Sequence, residues 1–185
     1  MSLIDRVKNI LLTPKTEWPK IAEEAATTQS IFVGYVLVLA AIGPVALAVH
    51  GGPVGITLAL LTYVIGVAVT FVIAMIVDAL APTFGGEKNF IQSLKLAAYS
   101  YTAAWLAGIF QLTPAIGSIL AVAASIYSFY TFYLGATVLK RCTPDKAVIY
   151  TIVVALCGLL LGAVVGGVLI STLIGSGLGM MGLLR

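Results

Sequence analysis

Charge is what this chain has least of: aspartate, glutamate, lysine and arginine make up 9% of its residues, against roughly 25% in a soluble domain. So few charges cannot cover a water-facing surface on a chain of 185 residues, which excludes a soluble globule. Histidine occurs once, at His50, and that removes histidine-rich metal sites and the HExxH pattern. Cysteine occurs twice, Cys142 in a charged loop and Cys157 in an apolar run, which is neither a disulfide framework nor a metal-ligand cluster. The stretch Gly85-Gly86-Glu87-Lys88 lacks the spacing and the hydroxyl of a phosphate loop. A pairing of His50 with Ser118 or Ser176 has no support in the local sequence. The sequence therefore implies no catalytic residue, no cofactor and no metal, and it has no basic surface for nucleic acid. A cleavable signal peptide is not expected either, because the first long apolar run starts only at Ile31.

What is abundant is apolar surface. Hydrophobic residues make up 61% of the chain, and the mean hydropathy is +1.12. A bilayer core about 30 Å thick needs roughly 20 apolar residues per spanning helix. Five runs meet that need: 31–49, 54–80, 94–112, 116–139 and 147–174. The third is the weakest, because it holds Tyr99, Ser100, Tyr101 and Thr102. The expected fold is all-α, an integral membrane bundle of five transmembrane helices with a short N-terminal amphipathic segment. Residues 1–28 form that lead, residues 29–175 the membrane domain, and residues 176–185 a glycine-rich apolar tail.

Charge placement gives the expected orientation. With the N-terminus inside, the cytoplasmic segments hold nine basic residues and all seven acids, while the outer segments hold only Arg185. Basic residues prefer the cytoplasmic side, so the N-terminus is expected inside and the C-terminus outside a cytoplasmic membrane. In the lead, Ser2 and Asp5 are placed to cap a helix whose residues Leu3, Ile4, Val7, Ile10 and Leu11 share one face. Pro14 stops it, and Thr16 starts a second helix with Pro19 in its first turn. Two arrangements are open. The helices lie on the leaflet, with Arg6 and Lys8 near headgroups and Trp18 facing lipid, or they pack on the bundle's cytoplasmic end as a lid.

Within the spans, polar residues gather toward the cytoplasmic half, which holds seven of the eight tyrosines. Asp78, Tyr99, Ser100, Tyr101, Thr102, Tyr127, Tyr130 and Thr131 fall at similar depth and form the candidate intramembrane site. An acid inside a span is costly and points to function, although Asp78 lies near enough to the loop to reach water. The alternative for the whole set is an aromatic belt with interhelical hydrogen bonds. Gly158, Gly162 and Gly166, four residues apart, make a small-residue face for close helix packing, within one chain or in a homo-oligomer.

Several stretches resemble the Yip1-domain membrane proteins. These are Ala79-Leu80-Ala81-Pro82-Thr83-Phe84-Gly85-Gly86, Ala98-Tyr99-Ser100-Tyr101-Thr102-Ala103-Ala104-Trp105, and Tyr127-Ser128-Phe129-Tyr130-Thr131-Phe132-Tyr133. The lead Leu11-Leu12-Thr13-Pro14-Lys15-Thr16-Glu17-Trp18 belongs with them. Relatives often have proline after the Tyr-Ser-Tyr-Thr run, where this chain has Ala103 and so lacks the residue that would kink the third helix. The resemblance implies five spans with a cytoplasmic N-terminus. It also implies a role in membrane organisation, which in eukaryotes is tied to Rab GTPases through a longer N-terminal region. With about 28 residues before its first span, this chain is similar to the short prokaryotic type, and Rab binding does not transfer. The expected function is a non-enzymatic scaffold or adaptor that binds lipid or a membrane or cytoplasmic protein partner at its cytoplasmic face. The competing expectation is a small oligomeric transporter or channel that uses Asp78 and the tyrosine-rich band.

Overall fold

The computed structural model describes residues 1–183, with side chains described for 1–49, 51–52, 55–113 and 117–171. Among the described residues every regular element is helical. Helix α1 (Leu3–Leu12) begins where the Ser2 hydroxyl accepts the Asp5 N–H at 3.1 Å. Helix α2 (Pro14–Glu23) is capped at Thr13 and starts three residues earlier than a cap at Thr16 would place it. Proline at the first helical position gives up no hydrogen bond, and the Thr16 hydroxyl donates backward to the Thr13 carbonyl at 3.0 Å instead of capping. Pro19 consequently lies inside the helix.

The first span opens on a capping box, Thr27 with Ser30, and runs over Thr28–Val49 in unequal pieces. After α3 (Thr28–Ile31), the turn Phe32–Val36 is a π-helix closed by the Leu37 N–H on the Phe32 carbonyl. Then come α4 (Leu37–Ala40) and α5 (Ile42–His50), with the break at Ala41. Pro44 accounts for that break: its ring clashes with the carbonyl four residues back, that of Ala40. Gly52, at φ +59°, lets the chain turn straight into α6 (Gly52–Leu80).

A 3-10 turn (Ala81–Phe84) ends at Gly85, φ +72°, and Asn89 caps α7 (Phe90–Ser100). Helix α8 (Thr102–Ala107), a 3-10 turn (Gly108–Leu112), α9 (Pro114–Leu139) and α10 (Pro144–Leu183) complete the fold. The backbone of residues 176–183 continues α10.

Among the described residues, four helices are long and apolar enough to cross a bilayer: Thr28–Val49, Gly55–Phe84, Gly117–Leu139 and Pro144–Ser171. The expected fifth, over 94–112, is helical but divided, with its first break at Tyr101. No proline is needed there. Thr102 turns its hydroxyl back onto the Tyr99 carbonyl at 2.6 Å, the kind of side-chain competition that bends a helix. At the far end of this segment, Gly108 touches Gly43 so closely that a Cβ on Gly108 would stand 2.8 Å from the Gly43 Cα. Two backbones in contact is how small residues build membrane interfaces.

The core is concentrated at one end. Ile10, Trp18 and Ile21 of the lead pack with Val77, Leu94 and Ala136 of the bundle. Apolar side chains along the spans, such as Leu60, Ile119 and Leu160, point outward, as lipid as solvent permits. The lead thus forms a lid on the bundle. Trp18, with 1% of its surface exposed, faces α9 rather than lipid, and Arg6 is buried among glutamates rather than set against headgroups. The reason is amphipathicity spent inward: Glu17, Trp18 and Ile21 share the buried face, and Arg6 supplies the charge that Glu17 needs there. Lys8 stays exposed.

The small-residue face of α10 is only partly used. A Cβ on Gly158 would meet Tyr101 and Ile73 at 3.6 and 3.7 Å, whereas Gly162 and Gly166 have nothing within 4 Å. Intrachain packing therefore accounts for Gly158 alone.

Candidate functional site

The polar residues that fall at one depth in the sequence are divided by the fold into three clusters. The first sits where α6, α7 and α9 end or begin. Asp78, in the last turn of α6, accepts on Oδ1 from the Asn89 N–H at 2.8 Å, the Ser93 hydroxyl at 3.0 Å and Lys140 Nζ at 3.3 Å. Lys140 Nζ donates further to Ser93 Oγ at 2.7 Å and the Asn89 carbonyl at 3.2 Å. Its side chain has 0% exposure, so its three acceptors replace the water it has lost. Burial pushes the Lys140 ammonium below the ordinary lysine range, and the bond to Asp78 opposes that shift. The Glu87 N–H donates to the Lys140 carbonyl at 2.9 Å, which ties the 85–89 loop to the end of α9. Asp78 is thus the counter-ion of a buried lysine, and none of its hydrogen-bond partners is a tyrosine.

The second cluster joins the lid to the bundle. Arg6 donates to Glu17 Oε1 at 2.5 Å and to both oxygens of Glu24, and its guanidinium lies 5.7 Å from the centre of the Tyr99 ring. Tyr99 meets Tyr35 edge-on at 4.6 Å, and the Tyr35 hydroxyl pairs with Thr102 Oγ1 at 2.6 Å. From beneath, Lys95 Nζ donates to the carbonyls of Ile21 and Glu24 at 2.7 and 2.6 Å, closing the end of α2. A cation on the last carbonyls of a helix is the arrangement its dipole favours. Beside this cluster opens a polar groove of about 300 Å³, lined by Arg6, Glu24, Ser30, Gly34, Tyr35 and Tyr99 among others.

The third cluster lies between α6, α7, α9 and α10. Thr131 donates to the carbonyls of Ser128 at 2.9 Å and Ser100 at 3.4 Å. Ser100, Tyr101 and Ser128 border a cavity of about 20 Å³, close to what one water occupies. Tyr127 belongs to the lid instead: its hydroxyl donates to the carbonyls of Leu11 and Ile10 at 2.8 and 3.3 Å, capping the end of α1. Tyr130 is exposed, its ring 5.8 Å from that of Tyr127.

The residues that complete these clusters are mostly ones the sequence alone does not single out: Ser93, Asn89, Lys140, Glu17, Glu24 and Lys95. One signal for Glu17 is present, since it shares a helical face with Trp18 and Ile21. Lys95 and Lys140 carry none, because their acceptors come from segments distant in the chain.

Spans with outward apolar faces and charges gathered at one end define a multi-pass helical membrane protein. The family model of the Yip1 domain matches residues 8–182, and the chain belongs to that family. No curated protein and no solved structure matches it.

Proposed function

We propose that this protein is a non-enzymatic scaffold or adaptor of the short prokaryotic type. It sits in the cytoplasmic membrane with its N-terminus inside and binds a protein partner at the capped end of the bundle. The observation that carries this reading is the lid. Helices α1 and α2 are fixed to the bundle by Arg6, Lys95, Trp18 and Tyr127. They present Lys8, Lys15, Lys20 and Glu23 outward, alongside Glu87, Lys88 and Arg141 from the neighbouring loops. Such a surface carries charges of both signs, which suits electrostatically complementary docking. The excess of basic residues at this end supports a cytoplasmic location for it. What counts against the competing transporter reading is that Asp78 is paired with Lys140 and hydrogen-bonded to Asn89 and Ser93 rather than to Tyr99, Tyr101, Tyr127 or Tyr130.

The test is site-specific photocrosslinking in the native membrane from a probe at Lys88, with a second probe at Leu160 on the lipid-facing surface as control. A distinct protein captured from Lys88 and not from Leu160 supports the adaptor. Capture of the same species from both positions, or of none, removes it.

A further inference from the structure

The groove beside Arg6 has the shape and charge of a phospholipid site. It is polar and opens where the first span begins, lined by Ser30, Gly34 and Tyr35 of that span, by Leu3 and Arg6 of α1, and by Tyr99 of α7. Further along the same span, Val38, Ala41 and Val45 line a second groove of about 350 Å³ with Ile109 and Leu112, and this one is apolar. A polar recess at headgroup depth followed by an apolar track down one helix fits an amphiphile, the head in the first and an acyl chain in the second.

The charges select the head. Two charged side chains line the polar groove, Arg6 and Glu24, one of each sign, and they are hydrogen-bonded to each other. A purely anionic group would meet the Glu24 carboxylate, and a purely cationic one would meet Arg6. A zwitterion satisfies both. Its phosphate is drawn to the guanidinium N–H groups that Glu17 and Glu24 do not use, and its ammonium to the Glu24 carboxylate and the adjoining Tyr35 and Tyr99 rings. Glu24 is placed for this, with 45% of its side chain exposed, while Glu17 holds Arg6 from behind at 1%.

The backbone also departs from regularity at this point. The π-helical turn Phe32–Val36 carries both Gly34 and Tyr35, and such turns occur often at functional sites. Gly34 has nothing within 4 Å of where a Cβ would stand, so the space over it belongs to the groove and not to a neighbouring helix.

We infer that this groove binds a zwitterionic phospholipid headgroup, with Arg6 facing the phosphate and Glu24 the ammonium. The inference extends the reading of the capped end as a binding face from protein to lipid, and it stands or falls separately, since the Lys88 probe reports on a different surface.

The test uses the full chain in bilayer discs made from phosphatidylethanolamine and phosphatidylglycerol in equal parts. Photoactivatable versions of each lipid, with identical acyl chains, are crosslinked and mapped by peptide. The ethanolamine probe is expected to label the segment 24–45 about tenfold more than the glycerol probe, as one charge-assisted hydrogen bond supplies. Glu24→Gln removes the carboxylate that faces the ammonium while Glu17 still pairs with Arg6, and is expected to abolish the preference for the ethanolamine lipid. Gly34→Phe places a ring in the groove, where a Cβ meets nothing within 4 Å, and is expected to remove the selective labelling, while the tryptophan emission of the folded chain stays unchanged. Equal labelling by the two lipids, or a preference that survives Glu24→Gln, overturns the inference. A last arm separates the two sources of this chemistry. If soluble phosphoethanolamine binds the detergent-solubilised protein as tightly as the lipid does, the ligand is a soluble ester and the lipid assignment is lost.

Discussion

The indole of Trp18 lies against the backbone of α9 at Gly135, so close that a Cβ on Gly135 would stand 2.8 Å from the ring carbons Cε2 and Cζ2. The lid is therefore seated by a tryptophan over a glycine. Leu96 closes the same space from α7, at 2.6 Å from that Cβ position. There is no slack on either side, so a single methyl group at residue 135 must move one of three elements.

Gly135→Ala is accordingly expected to lift Trp18 and loosen α2, at a cost of about 1–3 kcal/mol, typical of overpacking. In a Trp105→Phe background, the emission of Trp18 should shift to the red, and cleavage in the 24–27 linker should speed up. Unchanged emission with wild-type protease resistance would show that the ring and the glycine are not in contact.

Asp78 and Lys140 should behave as a coupled pair. Removing one partner leaves the other buried and charged, which costs about 3–5 kcal/mol, whereas replacing both with uncharged residues recovers most of the loss. Asp78→Asn, Lys140→Met and the double variant, compared by thermal denaturation in detergent, give the coupling directly. Purely additive losses would mean that the two side chains do not interact.

The same lysine makes stability depend on pH in a stated direction. Burial lowers the Lys140 pKa in the folded state, so the folded chain holds this proton less tightly than the unfolded chain does. Between the lowered value and the ordinary lysine range, the unfolded state binds more protons, and stability rises with pH. Below that window the penalty for the buried ammonium is present in full. Lys140→Met should flatten this alkaline rise relative to wild type, and an identical slope in both proteins would contradict the assignment.

Cys142 is packed under Gly86, where a Cβ would stand 2.8 Å from the sulfur and 3.0 Å from the Lys140 carbonyl. Burial also pushes its thiol above the usual range, so the thiolate is scarce at neutral pH. In a Cys157→Ala background, maleimide should modify Cys142 slowly, and Gly86→Val should accelerate the reaction by displacing the loop. Fast labelling of the unaltered loop would place Cys142 outside the packed end.

Gly162→Leu and Gly166→Leu should leave the stability of the chain within about 0.5 kcal/mol, since neither position touches another element. Gly158→Leu should destabilise it, because Tyr101 and Ile73 occupy the space. Equal losses at all three positions would indicate a packed stripe along the whole of α10.

Much of this arrangement was legible in residue order. The capping signal of Ser2 and the long apolar runs are local, and local rules locate them. The clusters were not legible to the same extent. Asp78, Tyr99 and Thr131 share a depth, and depth follows from position in the chain. Which of them touch depends on how each helix is rotated, and an apolar helix surrounded by lipid carries little amphipathic signal to fix its rotation. Asp78 therefore faces Lys140, Tyr99 faces Arg6, and Thr131 faces Ser100. The break at Tyr101 was likewise hidden, because it arises from a Thr102 hydroxyl bonding backward rather than from a proline.

The sequence by itself determined that this protein lives in a membrane, since scarcity of charge and length of apolar run are scalar quantities that do not depend on folding. It also determined that the polar and charged groups collect toward one end. Only the tertiary structure decided that the lead is a lid, that Trp18 and Arg6 are turned inward, and that Gly162 and Gly166 are left open while Gly43, Gly108 and Gly135 carry close contacts. The physical reason is that solvent partition is a property of each segment, whereas contact is a property of pairs, and the pairs here bring together residues up to 117 positions apart.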